Sequence, residues 1–129
     1  MVFPDQTSDW LFSRLETAVE KLNDRYQFDL LSFYEGAQVA RYRPGGHYNW
    51  HMDLGEGIYS ARKLSLSVQL TPEEDYDGGE LEFQFLEQPQ PRTQGTLIAF
   101  PSFLAHRVSP VTRGERFSLV VWITGQPFR

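Results

Sequence analysis

In the segment HYNWHMD, residues 47–53, His51 and Asp53 stand two apart on what the flanking residues mark as extended chain. Side chains at that spacing leave a strand on the same face, so an imidazole and a carboxylate reach one ion from adjacent directions. His106, in FPSFLAHRV at the entrance of another short apolar run, offers a third donor from across the fold. The chain has no cysteine, so a transition metal must be held by His, Asp or Glu. Two histidines and one carboxylate on one face of Fe(II) leave three positions open, which is what oxygen-activating non-haem iron needs. Taken singly, a His-x-Asp pair also describes surface residues or a hydrogen-bonded imidazole and carboxylate, and a lone histidine after an apolar run describes a satisfied core or loop residue.

Arg116, Phe117 and Ser118 open a long alternating segment in which Arg116 and Ser118 share a face with Val120 and Trp122. A guanidinium facing a partly apolar interior needs a partner, because a buried unpaired charge is costly. A bidentate carboxylate ligand would satisfy it, with the Ser118 hydroxyl as a second donor. An ion pair with one of the 17 acidic side chains, or plain exposure, would satisfy it equally well. His47 reads as a loop histidine, and Tyr48 and Trp50 as core packing ahead of cleft walls. LGEGIYSA, residues 54–61, reads as either a lid or an ordinary connection. The acidic stretch through Glu73, Glu74, Asp75 and Asp77 ends at Gly78 and Gly79 and reads as a solvated hairpin connection; no acidic twelfth ligand completes a calcium loop.

These side chains need a scaffold. Residues 8–25 place Trp10, Leu11, Leu15, Ala18, Val19 and Leu22 at three- and four-residue steps, predicting one amphipathic helix with Ser8 or Asp9 as its cap. The period then becomes two. RKLSLSVQLT, ELEFQF and RFSLVVWIT alternate apolar and polar residues, and QVARY, GTLIAF and HRV add shorter runs. Seven or eight short strands after one helix favour a mainly β fold, a sandwich or a small closed barrel, because an open sheet leaves edges to protect. No internal repeat or long linker divides the 129 residues, so a single domain is expected, with the helix at about 8–25 and the barrel at about 30–129.

The formal net charge of -5 is the wrong sign for a protein that neutralises several nucleic-acid phosphates. The start, MVFPDQTSDW, has neither a basic n-region nor an apolar h-region, and no window approaches a membrane span of ~20 apolar residues. A cytoplasmic protein without nucleic-acid or membrane partners is expected.

RYRPGGHYNWHMD, then RKLSLSVQL, DYDGGELEF and GTLIAFPSFLAHRVSPVTRGERFSLVVWI, resembles in this order the prolyl 4-hydroxylase-like branch of the 2-oxoglutarate and Fe(II)-dependent dioxygenases, bacterial and phage members above all. The resemblance runs from about residue 30 to the C-terminus. It implies a double-stranded β-helix, a jelly-roll or cupin-like barrel with a supporting N-terminal helix, and further N-terminal elements in longer relatives. It implies Fe(II) on His51, Asp53 and His106, and the distal carboxylate of 2-oxoglutarate on Arg116, where collagen-type hydroxylases carry lysine. It places Tyr42 in the co-substrate pocket and Ser118 at the second position of the family's R-x-S pair. The reaction implied is hydroxylation of an unactivated C–H, in a peptidyl proline, another protein side chain or a small molecule. O2 is consumed, succinate and CO2 are released, and ascorbate serves as a reductant. Two rival readings are a non-catalytic barrel with a vestigial metal site, and a cupin-like metal enzyme that does not use 2-oxoglutarate.

Overall fold

A computed structural model of the chain describes residues 10–11, 13–18, 30–32, 37–54 and 62–125. Residues 10–11 and 13–18 are helical, as the apolar spacing predicts; the remainder of the expected helix, with its cap at Ser8 or Asp9, lies outside the described residues. Ten strands follow among the described residues: β1 (Leu30–Ser32), β2 (Ala37–Tyr42), β3 (Tyr48–His51), β4 (Arg62–Gln69), β5 (Tyr76–Gly78), β6 (Leu81–Phe83), β7 (Leu97–Pro101), β8 (His106–Val108), β9 (Val111–Gly114) and β10 (Arg116–Gly125).

The longest strand, β10, is the spine of the larger sheet. It pairs antiparallel with β4 along one edge and with β2 and β1 along the other, and β7 extends the sheet beyond β4. The smaller sheet runs β3-β8-β6, and β5 pairs with β9 in a separate ladder. Phe100 and Ile98 of the larger sheet pack against Leu81, Phe83 and Val108 of the smaller one. The fold is therefore mainly β, a double-stranded β-helix whose two sheets face each other across a shared interior.

Each face of the larger sheet has its own partner, and the assignment is the reverse of the simplest one. Leu64, Leu66, Leu119, Val121 and Ile123 turn outward and bury against Leu15 of the helix. The polar members of the same alternation, Ser65, Ser67, Gln69, Arg116 and Ser118, turn inward and are buried. An apolar stripe on a helix covers the sheet's hydrophobic face, which leaves the barrel interior free to carry polar chemistry.

Two expected elements differ in detail. ELEFQF is extended only through Phe83; the Leu86 amide then bonds back to the Phe83 carbonyl, and Phe85 is 63% exposed. The acidic stretch is more than a connection: Glu73–Asp75 forms one 3-10 turn and Tyr76–Gly78 pairs with β9, with Asp77 bonded to Arg113. Gly78 ends this strand at φ +73, where a Cβ would stand 2.1 Å from the Pro110 carbonyl oxygen, so only glycine fits. No helix among the described residues is long and apolar enough to cross a membrane.

Candidate metal centre

His51 and His106 are direct partners across the antiparallel β3-β8 ladder. Their rings lie 4.2 Å apart, centroid to centroid. Asp53 sits just past the end of β3, in a bend, so its placement owes less to strand alternation than the two-residue spacing suggests. The bend is held by one acceptor: the Ser102 carbonyl takes the amides of both Asp53 and Leu54. As a result the three side chains converge, with ligand atoms all within 4.8 Å of one another.

Hydrogen bonding settles what those atoms are. The His51 Nδ1 is 2.7 Å from the Asn49 carbonyl and the His106 Nδ1 is 2.9 Å from the Leu104 carbonyl. A carbonyl can only accept, so each Nδ1 carries a proton and each Nε2 of a neutral ring presents a lone pair. Both Nε2 atoms point at Asp53 Oδ1, at 3.4 Å from His51 and 3.3 Å from His106. Two lone pairs and an anionic oxygen at that range repel unless a cation lies among them, either protons on Nε2 or a metal. Imidazole, imidazole and carboxylate, each oriented by an outer hydrogen bond, suit Fe(II).

Asp53 is 8% exposed. Burial opposes its ionisation, but with protons on the two Nε2 atoms, hydrogen bonds from His106 and His51, the charge on His106 and a hydrogen bond from Ser65 outweigh that and hold the carboxyl well below the ordinary carboxylate range. Its second oxygen, Oδ2, accepts from Ser65 Oγ at 2.6 Å and from Trp122 Nε1 at 3.0 Å.

Arg116 is 1% exposed and lines the same cavity, of about 430 Å³, as His51, Asp53 and His106. Its Nη2 donates to Gln69 Oε1 at 2.7 Å, while Nε and Nη1 are buried without a hydrogen-bond partner. No acidic side chain among the described residues pairs with it, which removes the ion-pair alternative there. Burial lowers the Arg116 pKa, with Tyr76 and Tyr42 acting the other way; a guanidinium keeps its charge regardless. A buried guanidinium with two unpartnered donors beside this cavity suits an anion.

Tyr42 and Ser118 line this cavity, and the Arg116 guanidinium lies 5.3 Å from the Tyr42 ring. Burial raises the Tyr42 pKa, partly countered by Arg116. His47 is exposed beside the Gly45 turn, as expected of a loop histidine. Tyr48 and Trp50 are not core residues: they are 52% and 44% exposed, on a strand at the edge of the smaller sheet among the described residues, and Tyr48 stacks on His51 at 3.8 Å. Of the possible lid, only Leu54 is described; residues 55–61 lie outside the described residues. Sequence reasoning missed Ser65, Gln69, Tyr76, Ser102 and Trp122. The signal for Ser65 and Gln69 was present, since they share the inward face of β4.

Residues 37–124 match the family model described as the 2OG-Fe(II) oxygenase superfamily, more than half of the chain. A PKHD-type hydroxylase from Idiomarina loihiensis is 35% identical over 119 residues, spanning 84% of this chain and 54% of its own length. One from Alteromonas mediterranea is 48% identical over 91 residues, spanning 64% of this chain and 40% of its own. The chain thus spans about half or less of the length of these relatives. Among solved structures, a Pseudomonas putida prolyl-4-hydroxylase superposes with a TM-score of 0.77 at 23% identity, over 98% of this chain and 71% of its own. The viral collagen prolyl hydroxylase of Paramecium Bursaria Chlorella virus-1, in its 2OG complex, gives 0.73 at 26% identity, over 97% of this chain and 78% of its own.

Proposed function

The chain belongs to the 2OG-Fe(II) oxygenase superfamily, and from that premise we propose that residues 1–129 form one oxygenase domain that hydroxylates an unactivated C–H. Fe(II) binds His51 Nε2, Asp53 Oδ1 and His106 Nε2. The distal carboxylate of 2-oxoglutarate takes the unfilled donors of Arg116, beside Tyr42 and Ser118. One observation supports this reading above others: two imidazoles and a carboxylate whose ligand atoms converge within 4.8 Å, and a buried guanidinium with two unpartnered donors, line the same cavity.

When bound, iron and 2-oxoglutarate supply the oxidative chemistry, with O2 consumed and succinate and CO2 released. The protein's own residues do the rest. The Asn49 and Leu104 carbonyls fix the imidazole tautomers, and Gln69 turns the guanidinium toward the cavity. The charges of Fe(II), one aspartate, the 2-oxoglutarate dianion and one arginine would cancel, which suits the burial of Asp53 and Arg116.

The similar proteins are PKHD-type and prolyl-4-hydroxylases, so a peptidyl prolyl or other protein side chain is the substrate class we favour over a small molecule. Exposed Tyr48 and Met52 at the edge of the cavity suit an extended peptide. Succinate release, measured with Fe(II), 2-oxoglutarate, ascorbate as reductant and a peptide panel, tests the reading. Peptide-dependent succinate with hydroxylated product supports it. Failure of the purified chain to bind either Fe(II) or 2-oxoglutarate removes it.

A further inference from the structure

The carboxylate of Asp53 has two oxygens, and the structure gives them unlike surroundings. Oδ1 faces the two imidazoles. Oδ2 faces away and accepts from Ser65 Oγ at 2.6 Å and Trp122 Nε1 at 3.0 Å. A carboxylate oxygen offers about two acceptor directions, so Oδ2 is saturated.

Behind Ser65 stands Ser102, with the two hydroxyls 2.9 Å apart and both side chains fully buried. Ser65 has one proton and gives it to Asp53, so Ser102 must donate to Ser65. Ser102 also bonds through its backbone to the Asp53 and Leu54 amides and the Lys63 carbonyl. Backbone and carboxylate of Asp53 are therefore tied to the same residue.

We propose that Ser65 and Trp122, braced by Ser102, are positioning residues that keep Asp53 monodentate toward the metal. This rests on the iron reading above. A carboxylate free to turn can chelate through both oxygens and occupy one of the positions that co-substrate and O2 require. Holding Oδ2 in two hydrogen bonds makes that rotation costly, because the part-buried Trp122 N–H and the buried Ser65 O–H would lose their acceptor together.

Mn(II) alone is the probe. Water-proton relaxation per bound Mn(II) reports how many exchangeable waters the metal keeps, and a residue that only supports the fold changes occupancy or melting temperature without changing that number. In Ser65→Ala/Trp122→Phe the relaxation per bound ion is expected to fall by about a third, from three open positions to two. Each single variant is read in the same way should the double variant not fold, and Ser65→Thr, which keeps the hydroxyl, is expected to restore the wild-type value. Unchanged relaxation per bound ion in the variants overturns the positioning role while leaving the metal site standing. A wild-type chain that takes no Mn(II) overturns both.

Discussion

His51 and His106 face each other as register partners of neighbouring antiparallel strands, each ring pinned by a carbonyl two residues earlier in its own segment. Pairing of β3 with β8 is thus what brings the centre together, and neither imidazole has a substitute among the described residues. His51→Ala and His106→Ala are each expected to abolish turnover. Metal affinity should drop by more than the ~10- to 100-fold usual for losing an outer hydrogen-bond partner. Isothermal titration with Fe(II) under anaerobic conditions checks this, and full turnover by either variant would remove the assignment.

Arg116 should separate co-substrate binding from metal binding. A hydrogen bond to a charged group is worth about 1.5–3 kcal/mol, so Arg116→Leu is expected to raise the KM for 2-oxoglutarate roughly 10- to 100-fold with metal affinity nearly intact. Gly79 offers an independent approach to the same group. A Cβ there would stand 2.8 Å from Val111 Cγ2 and 3.1 Å from Arg116 Cδ, at φ +58. Gly79→Ala is therefore expected to displace the guanidinium stem and raise the same KM. Equal loss of metal and co-substrate in Arg116→Leu would show that Arg116 is structural.

Much of this was legible in the sequence because it is carried by local pattern. The two-residue period located β4, β10 and the start of β6, the short apolar runs located β2, β7 and β8, and residue type with spacing marked His51, Asp53, His106 and Arg116 as candidates. Cross-strand relationships were not legible. Nothing in the spacing of Ser65, Ser102 and Trp122 says that their polar atoms meet around one carboxylate, since that depends on β4 pairing with β10 and on the turn after β7. Tyr48 and Trp50 were misread for a related reason: an aromatic residue on a strand signals burial only when other elements cover it, and both are exposed among the described residues.

The Asp53 carboxyl also predicts a pH dependence for the metal-free chain. Its folded pKa lies below the ordinary value of 3.8, so the stability it contributes is complete above that value and is lost as pH falls through the folded pKa. Asp53→Asn cannot titrate. Thermal melts of both proteins through the acid range should show the wild-type advantage shrinking only below pH 3.8. An advantage that does not change with pH would mean that the ionised form is not what the fold stabilises.

Neighbouring residues on β4 should fail in different ways. Leu64 is fully buried on the outward face against the helix-side core, whereas Ser65 is fully buried on the inward face against Asp53. Truncating a buried leucine removes its transfer free energy and leaves a cavity, so Leu64→Ala is expected to cost about 2–5 kcal/mol of folding stability. Its metal affinity per folded molecule should stay close to wild type, because none of the ligand contacts passes through that face. Ser65→Ala removes no apolar surface and should lower the melting temperature less, while changing how the metal is held. Denaturant melts combined with metal titration on the same two variants separate the effects. If Leu64→Ala weakened metal binding as much as Ser65→Ala does, the two faces of the sheet would not be independent.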